Sequence, residues 1–266
     1  MTEGSVPGFL QQKKTFYFEI WKKGRSSVEK RGLLYEGKAK KLFVTDDPSL
    51  LWVEYKDEAT AFNGEKKDNM TGKGRLNNEI SSILFDSLHA GGIATHFVQR
   101  LSETEQLVKK TDIIPLEVVV RNIVAGSLKK RTGMSEGEEL APAIVEFYYK
   151  DDDLGDPLIN EDHIRALQAA TAEQVKELKK QALEINETLK SYFLENDLLL
   201  VDFKLEFGVT QEGTVLLADE ISPDTCRLWD KDTKEKFDKD LYRFGIGSLQ
   251  DGYSEILKRL GGAKHG

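Results

Sequence analysis

Cysteine is almost absent from this chain, with Cys226 alone among 266 residues. No intrachain disulfide can form, which fits a reducing compartment and leads to an expectation of the cytoplasm. One cysteine near acids is read as structural, not nucleophilic. Histidine is scarce too. His89, His96, His163 and His265 fall in no metal-ligand spacing, which argues against a zinc enzyme. No run of eighteen apolar residues occurs, so no membrane-spanning helix and no membrane partner are expected. Positive charge is also short. The net charge of −8 argues against nucleic acid as the main partner. Anionic small molecules would have to meet lysines and arginines gathered locally.

The length allows one large domain or two small ones. Residues 1–32 stand apart: the first 31 carry seven Lys/Arg against three Asp/Glu, and they are read as an appendage. From there the pattern sharpens. Leu34–Val44 and Leu50–Tyr55 read as strands around the turn at Asp46–Ser49. Asp57–Thr71 reads as a polar loop. Leu76–Ala90 reads as a helix that stops at Gly91-Gly92. Short strands are expected at Ala94–Arg100 and Glu105–Lys110, and a β-branched one at Leu116–Val124. Thr171–Glu195 is the clearest helix. Val175, Leu178, Ala182, Ile185, Leu189 and Phe193 step by three and four, and Thr171 with Gln174 has capping-box spacing. Asp240–Leu260 closes the chain as a helical region broken by glycines. This order predicts an α+β fold of two lobes, with antiparallel sheets, flanking helices and a ligand cleft between the lobes. The small β-rich lobe is expected over 33–112 and the larger over 113–266.

The densest chemistry lies in Leu200–Asp230. Val201, Phe203, Leu205 and Phe207 alternate with Asp202, Lys204 and Glu206, so the charges share one face of a strand. Gln211-Glu212-Gly213 reads as a hairpin turn that returns Asp219 opposite Lys204 or Glu206. Glu220, Asp224 and Arg227 lie just beyond. Carboxylates clustered with a lysine can hold Mg²⁺ and a polyphosphate together. The bland alternative is an ordinary half-solvated strand with its charges in water. Glu36–Lys41 adds a glycine among lysines but is neither a P-loop nor a Rossmann fingerprint. Glu117 and Arg121 interrupt an apolar run. They read either as an inter-strand ion pair or as a fork for a ligand anion. Gly126-Ser127 follows with further donors, and Lys129–Arg131 reads as a helix face in water.

Four segments now converge on a resemblance. Leu34-Tyr35-Glu36-Gly37-Lys38-Ala39-Lys40, Pro115-x-Glu117-x-x-x-Arg121-x-x-x-x-Gly126-Ser127, Leu200–Gly208 and Asp219–Asp230 are similar to the phosphoribosylaminoimidazole-succinocarboxamide synthase (SAICAR synthetase) family. The resemblance covers about Leu33 to Leu260. It implies a two-lobed fold similar to ATP-grasp and kinase-like architectures. It also implies an ATP-dependent ligase of purine biosynthesis joining 5-amino-1-(5-phospho-D-ribosyl)imidazole-4-carboxylate to L-aspartate, through an acyl phosphate. Carried over residue by residue, Lys38, Lys40, Lys204 and Glu206 would contact ATP. Glu206 and Asp219 would ligate Mg²⁺, and Lys204 and Asp202 would act at the reaction centre. Arg121, Ser127, Arg227 and Asp224 would bind the nucleotide substrate. Residues 108–116 would border the adenine, and the loop 60–64 or the Lys73-Gly74 turn would take aspartate. The resemblance implies a homodimer. The competing readings are another ATP-dependent carboxylate–amine ligase or small-molecule kinase on the same scaffold, or a nucleotide-binding module without catalysis.

Overall fold

The computed structural model describes residues 28–61 and 66–261. Two antiparallel sheets organise it. The first is built from β1 (Lys30–Glu36), β2 (Lys40–Thr45), β3 (Leu50–Tyr55), β6 (Phe97–Arg100) and β7 (Glu105–Lys109), in the order β1-β2-β3-β7-β6. The second holds β8 (Asp112–Ile123), β9 (Glu139–Tyr149), β10 (Leu158–Ile159), β11 (Leu198–Val209) and β12 (Val215–Ala218), in the order β10-β9-β8-β11-β12. A thirteenth strand, β13 (Cys226–Asp230), also pairs with β11. The helices are α1 (Lys73–Ala90), α2 (Gly126–Thr132), α3 (Glu161–Leu167), α4 (Ala172–Glu195), α5 (Asp240–Phe244) and α6 (Leu249–Arg259). Mixed helix and antiparallel sheet is the expected α+β class. None of the described helices is long and apolar enough to cross a membrane.

Three local readings need correction. The expected strand Leu34–Val44 is two strands, because the chain reverses at Gly37-Lys38, where the Gly37 N–H donates to the Lys40 carbonyl. The expected polar loop 57–71 contains a small hairpin of β4 (Glu58–Ala61) and β5 (Lys66–Asn69), which polar side chains disguise. β9 has no counterpart among the expected elements, since apolar and polar residues alternate poorly along it.

Why β11 is central follows from its sequence. Leu200, Phe203, Leu205 and Phe207 are buried in the main core, while Asp202, Lys204 and Glu206 face the other way. Val201 breaks the expected alternation. A register shift between Leu200 and Asp202 in the β13 ladder turns Val201 into a separate cluster with Ile123, Ala125 and Trp229. A β-bulge does this by placing two residues opposite one. The α4 stripe from Val175 to Phe193 covers the apolar face, as its spacing predicts. Ile80, Leu84 and Leu88 of α1 enter the same core with Tyr253 and Ile256 of α6. Phe97 of β6 joins this layer, while Leu51, Val53, Tyr55 and Val108 of the first sheet form a separate cluster, and the charged face of β11 is left toward the β1–β2 hairpin.

Leu189 is fully buried and Thr171 caps α4 in a reciprocal capping box with Gln174. Leu189→Ala should cost ~2–5 kcal/mol of unfolding free energy and Thr171→Ala about 1 kcal/mol, read by urea denaturation. Equal losses would mean the α4 stripe is not the core contact described.

Candidate active site

A cleft of about 640 Å³ opens between the β1–β2 hairpin and the charged face of β8 and β11. Lys38 and Lys40 reach it from the first sheet. Arg121, Asp202, Lys204 and Glu206 reach it from the second. The segment after β12 adds Asp219, Glu220, Asp224 and Arg227. Lys38, Lys40, Arg121, Asp202, Lys204, Glu206, Asp219, Asp224 and Arg227 therefore line one cavity, and Ser127 and Lys73 do not. Ser127 joins it indirectly, accepting a 3.0 Å hydrogen bond from Arg121 Nη2. Residues 108–116, the expected adenine border, contribute nothing to this lining.

One pole of the cleft is built on lysines. Lys204 Nζ lies 2.7 Å from both Glu117 Oε1 and Glu206 Oε1. The β8–β11 register sets Glu117 directly across from Glu206, so Lys204 bridges two strands. Lys150 is a further partner, 3.0 Å from Glu206. Lys40 bridges Asp219 and Glu220, at 2.9 Å from the latter. Lys38 is exposed and pairs with Asp152 at 2.8 Å. Burial opposes the charged form of Lys204 and Lys40, but the facing carboxylates outweigh it and hold both well above the ordinary lysine range. Burial likewise opposes ionised Asp219, and Lys40 and Lys204 overcome it, holding the carboxyl below its usual range. These groups stay charged at neutral pH. They can neutralise phosphate and are poor proton donors.

Asp219 reaches this pole by a route the hairpin count did not give. Glu206 pairs with Ala218, so Asp219 is opposite neither Lys204 nor Glu206. It lies one step beyond the end of β12, in the left-handed region at φ 60°.

The other pole is an alternating row of arginines and acids. Asp202 accepts from Arg121 Nη1 at 2.7 Å and from Arg227 Nη1 at 2.9 Å. Arg121 Nε donates to Glu146 at 2.7 Å, and Arg131 grips the same carboxylate. Arg131 stays exposed on its helix, as expected, and from there bonds to Tyr148 and Glu146 of β9. Arg227 Nε donates to Asp240 at 2.9 Å, which also holds Arg243 at 2.9 Å. Arg121 is thus both the expected inter-strand pair and part of the cleft wall. The Arg227 guanidinium lies flat against Gly126, where a Cβ would fall 2.6 Å from Nη2. Gly126 also has φ +52°, so glycine is required twice over.

Asp224 anchors a third corner. It pairs with Lys73, and accepts from Asn77 Nδ2 at 2.9 Å and the Tyr253 hydroxyl at 2.6 Å. Burial would raise its pKa, but Lys73 and Lys239 outweigh burial and hold the carboxyl low. Asp224 and Lys73, both expected to meet substrate, therefore bind each other and tie the loop after β12 to α1 and α6. The other expected aspartate contact, the loop 60–64, lies largely outside the described residues. Lys150, Glu146, Lys239 and Arg243 were missed. Each looks solvated in sequence, and only the sheet register and the α5 turn bring it to the cleft. Cys226 is buried with its thiol pushed up by burial, in keeping with a structural role.

The donor set suits a hard cation. Glu206, Asp219 and Glu220 offer only oxygen, and the buried Glu220 Oε2 has no protein partner. Among the described residues, no group of three or more His, Cys, Asp or Glu is placed to hold a metal unaided. Mg²⁺ commonly takes one or two carboxylates and fills its shell with water and phosphate oxygens.

A model of the SAICAR synthetase family matches residues 33–260. The phosphoribosylaminoimidazole-succinocarboxamide synthase of Bacillus cytotoxicus is 63% identical over 238 residues, 90% of this chain and 100% of that protein. The Bacillus cereus protein of the same name is 64% identical over the same span. The phosphoribosylaminoimidazole-succinocarboxamide synthase structure from Ehrlichia chaffeensis aligns with a TM-score of 0.84 at 46% identity, covering 86% of this chain and 98% of that one. A SAICAR synthetase solved in complex with ADP aligns at 0.84 and 50% identity, covering 87% of this chain and 98% of that one. Fold, cleft and relatives define a ligase. The chain belongs to the SAICAR synthetase family.

Two outcomes test this geometry. Lys73→Met leaves buried Asp224 with only Lys239, 3.8 Å away, as a cation and should cost ~3 kcal/mol at neutral pH. Asp224 is held below its unfolded value, so its contribution is full above pH ~4 and lost as pH falls through the folded value. Urea titrations from pH 7 to pH 3 should therefore show a shallower acid decline for Asp224→Asn than for the unaltered protein. A parallel decline would remove Asp224 from the account. Separately, Gly126→Ala should weaken binding of the phosphorylated substrate by displacing Arg227, and unchanged affinity would contradict that contact.

Proposed function

We propose that the protein joins 5-amino-1-(5-phospho-D-ribosyl)imidazole-4-carboxylate to L-aspartate at the expense of ATP, giving SAICAR, ADP and phosphate. The carrying observation is one cleft that combines a lysine–carboxylate pole with an arginine pole. Two anionic substrates can be brought together there without mutual repulsion. Family membership and the named relatives support the particular reaction.

A carboxylate is a poor acyl donor, because oxide would have to leave. Transfer of the γ-phosphoryl group onto a carboxylate oxygen forms an acyl phosphate, and the amine of aspartate then displaces phosphate. Lys38 and Lys40 contact the ATP phosphates from the hairpin, where Lys40 already faces acid on the opposite wall. Lys204 holds the γ-phosphate against the substrate carboxylate. Glu206 and Asp219 hold Mg²⁺. When bound, Mg²⁺ supplies charge neutralisation and polarises the γ-phosphate. Arg121, Ser127 and Arg227 form the phosphate end of the nucleotide site. Asp202 keeps both arginines aimed, and Asp224 braces the loop that leads to Arg227. The protein contributes position and fixed charge.

The segment 33–112 is the ATP-binding lobe, and the segment 113–266 carries the nucleotide-substrate and Mg²⁺ site. The enzyme works in the cytoplasm, as a homodimer.

Purified protein with MgATP and the aminoimidazole carboxylate ribonucleotide should release ADP only when L-aspartate is added. Lys204→Gln should lower kcat/KM by ~10²–10³ with the fold retained by circular dichroism. Release without aspartate would favour a kinase, and no release from folded protein would favour a binding module.

A further inference from the structure

Arg227 is tied at its backbone and at its guanidinium to one buried carboxylate, Asp238, which does not line the cleft. The segment after β13 turns back alongside it. Lys236 bridges Trp229 antiparallel, and the Phe237 N–H donates to the Leu228 carbonyl at 3.0 Å. One step later a side chain replaces the backbone as acceptor. Asp238 Oδ2 accepts from the Leu228 N–H at 2.9 Å, at the peptide that joins Leu228 to Arg227. Asp238 Oδ1 accepts from the Asp240 N–H at 2.8 Å, where α5 begins. The Asp240 carboxylate in turn takes Arg227 Nε at 2.9 Å. A closed ring of hydrogen bonds therefore runs from the peptide beside Arg227, through Asp238 and Asp240, to the Arg227 guanidinium.

Packing alone does not account for a carboxylate here. Asp238 is fully buried, and its two oxygens meet backbone N–H groups. Burial and the neighbouring Asp240 charge push its carboxyl up to about 7. An apolar side chain would avoid that cost but leave both N–H groups unpaired. An asparagine would set its own N–H against one of them. A carboxylate has an acceptor for each. Nothing in the proposed chemistry uses Asp238. What it touches is the frame that sets the direction of the Arg227 side chain.

We infer that Asp238 is a positioning residue for Arg227: it grips the peptide that follows Arg227 and the residue that accepts Arg227 Nε, and so aims the guanidinium at the nucleotide substrate. This rests on the reading of Arg227 as a ligand of that substrate. It makes the affinity for the nucleotide substrate depend on a buried side chain that does not touch it.

The test is steady-state kinetics on the full chain and on Asp238→Asn, Arg227→Lys and the double variant, with the nucleotide substrate and ATP varied in turn. Arg227→Lys keeps the charge that faces Asp202 and Asp240 and loses the fork. Asp238→Asn should raise KM for the nucleotide substrate about tenfold, with kcat and the KM for ATP within about twofold. Arg227→Lys should raise the same KM. Adding Asp238→Asn to it should raise KM no more than about twofold further, because the side chain being aimed is already gone. If Arg227→Lys leaves that KM unchanged, the substrate reading of Arg227 fails and takes the inference with it. If Arg227→Lys raises it and Asp238→Asn does not, only the inference is overturned. Loss of kcat at unchanged KM in Asp238→Asn, or effects that multiply in the double variant, would show a structural role and overturn it too.

Discussion

A half-buried charge must have a counter-charge, and this one constraint shapes the cleft. Removing a partner from a buried pair costs ~3–5 kcal/mol, so cations awaiting anionic substrates have to be stored against acids. Asp202 shows how. It sits between Arg121 and Arg227, whose own flanks are held by Glu146 and Asp240. The same logic runs through Glu117, Lys204, Glu206 and Lys150 at the other pole. An arriving phosphate then meets lysines and arginines whose geometry is already set. The fold serves this arrangement: α1, α4 and α6 bury one apolar layer, and the opposite face of β11 is left for charge.

The division of labour follows from these pairings. Lysines raised by their acids and a carboxyl lowered by its lysines keep their charges through neutral pH. Such groups suit phosphoryl transfer, where little proton movement is asked of the protein and much charge has to be balanced. The loop after β12 concentrates the demands. It carries Asp219 in a left-handed turn, Glu220 with an unpaired buried oxygen, and Asp224 locked to α1 and α6. Of these neighbouring acids, Asp219 and Glu220 share Lys40, while Asp224 is turned to Lys73.

Much of this was legible before any coordinates. The alternation in Phe203–Phe207 placed the charged face of β11, and the three-and-four stepping of α4 placed its cover. Lys38, Lys40, Lys204, Glu206, Asp219 and Arg227, which local motifs singled out, all line one cavity. What escaped depends on distant partners. The bulge at Val201 arises from pairing with β13, which local alternation does not encode. Asp219 missed its expected partner because it leaves the ladder after Ala218. Arg131 is the wet helix residue its sequence suggested, but its partners Glu146 and Tyr148 come from β9. Lys150 follows a weakly patterned strand, and only its pairing with Glu206 marks it.

The account turns on a substrate carboxylate oxygen accepting the γ-phosphoryl group and leaving with it. The most direct measurement uses 5-amino-1-(5-phospho-D-ribosyl)imidazole-4-carboxylate labelled with ¹⁸O in both carboxylate oxygens, turned over with MgATP and L-aspartate, with the released phosphate analysed by mass spectrometry. One ¹⁸O atom per phosphate is the predicted result, because the bond that breaks in amide formation is the one between carbonyl carbon and that oxygen. Phosphate free of label, released alongside the amide product, would contradict carboxylate phosphorylation and with it this reading of the cleft.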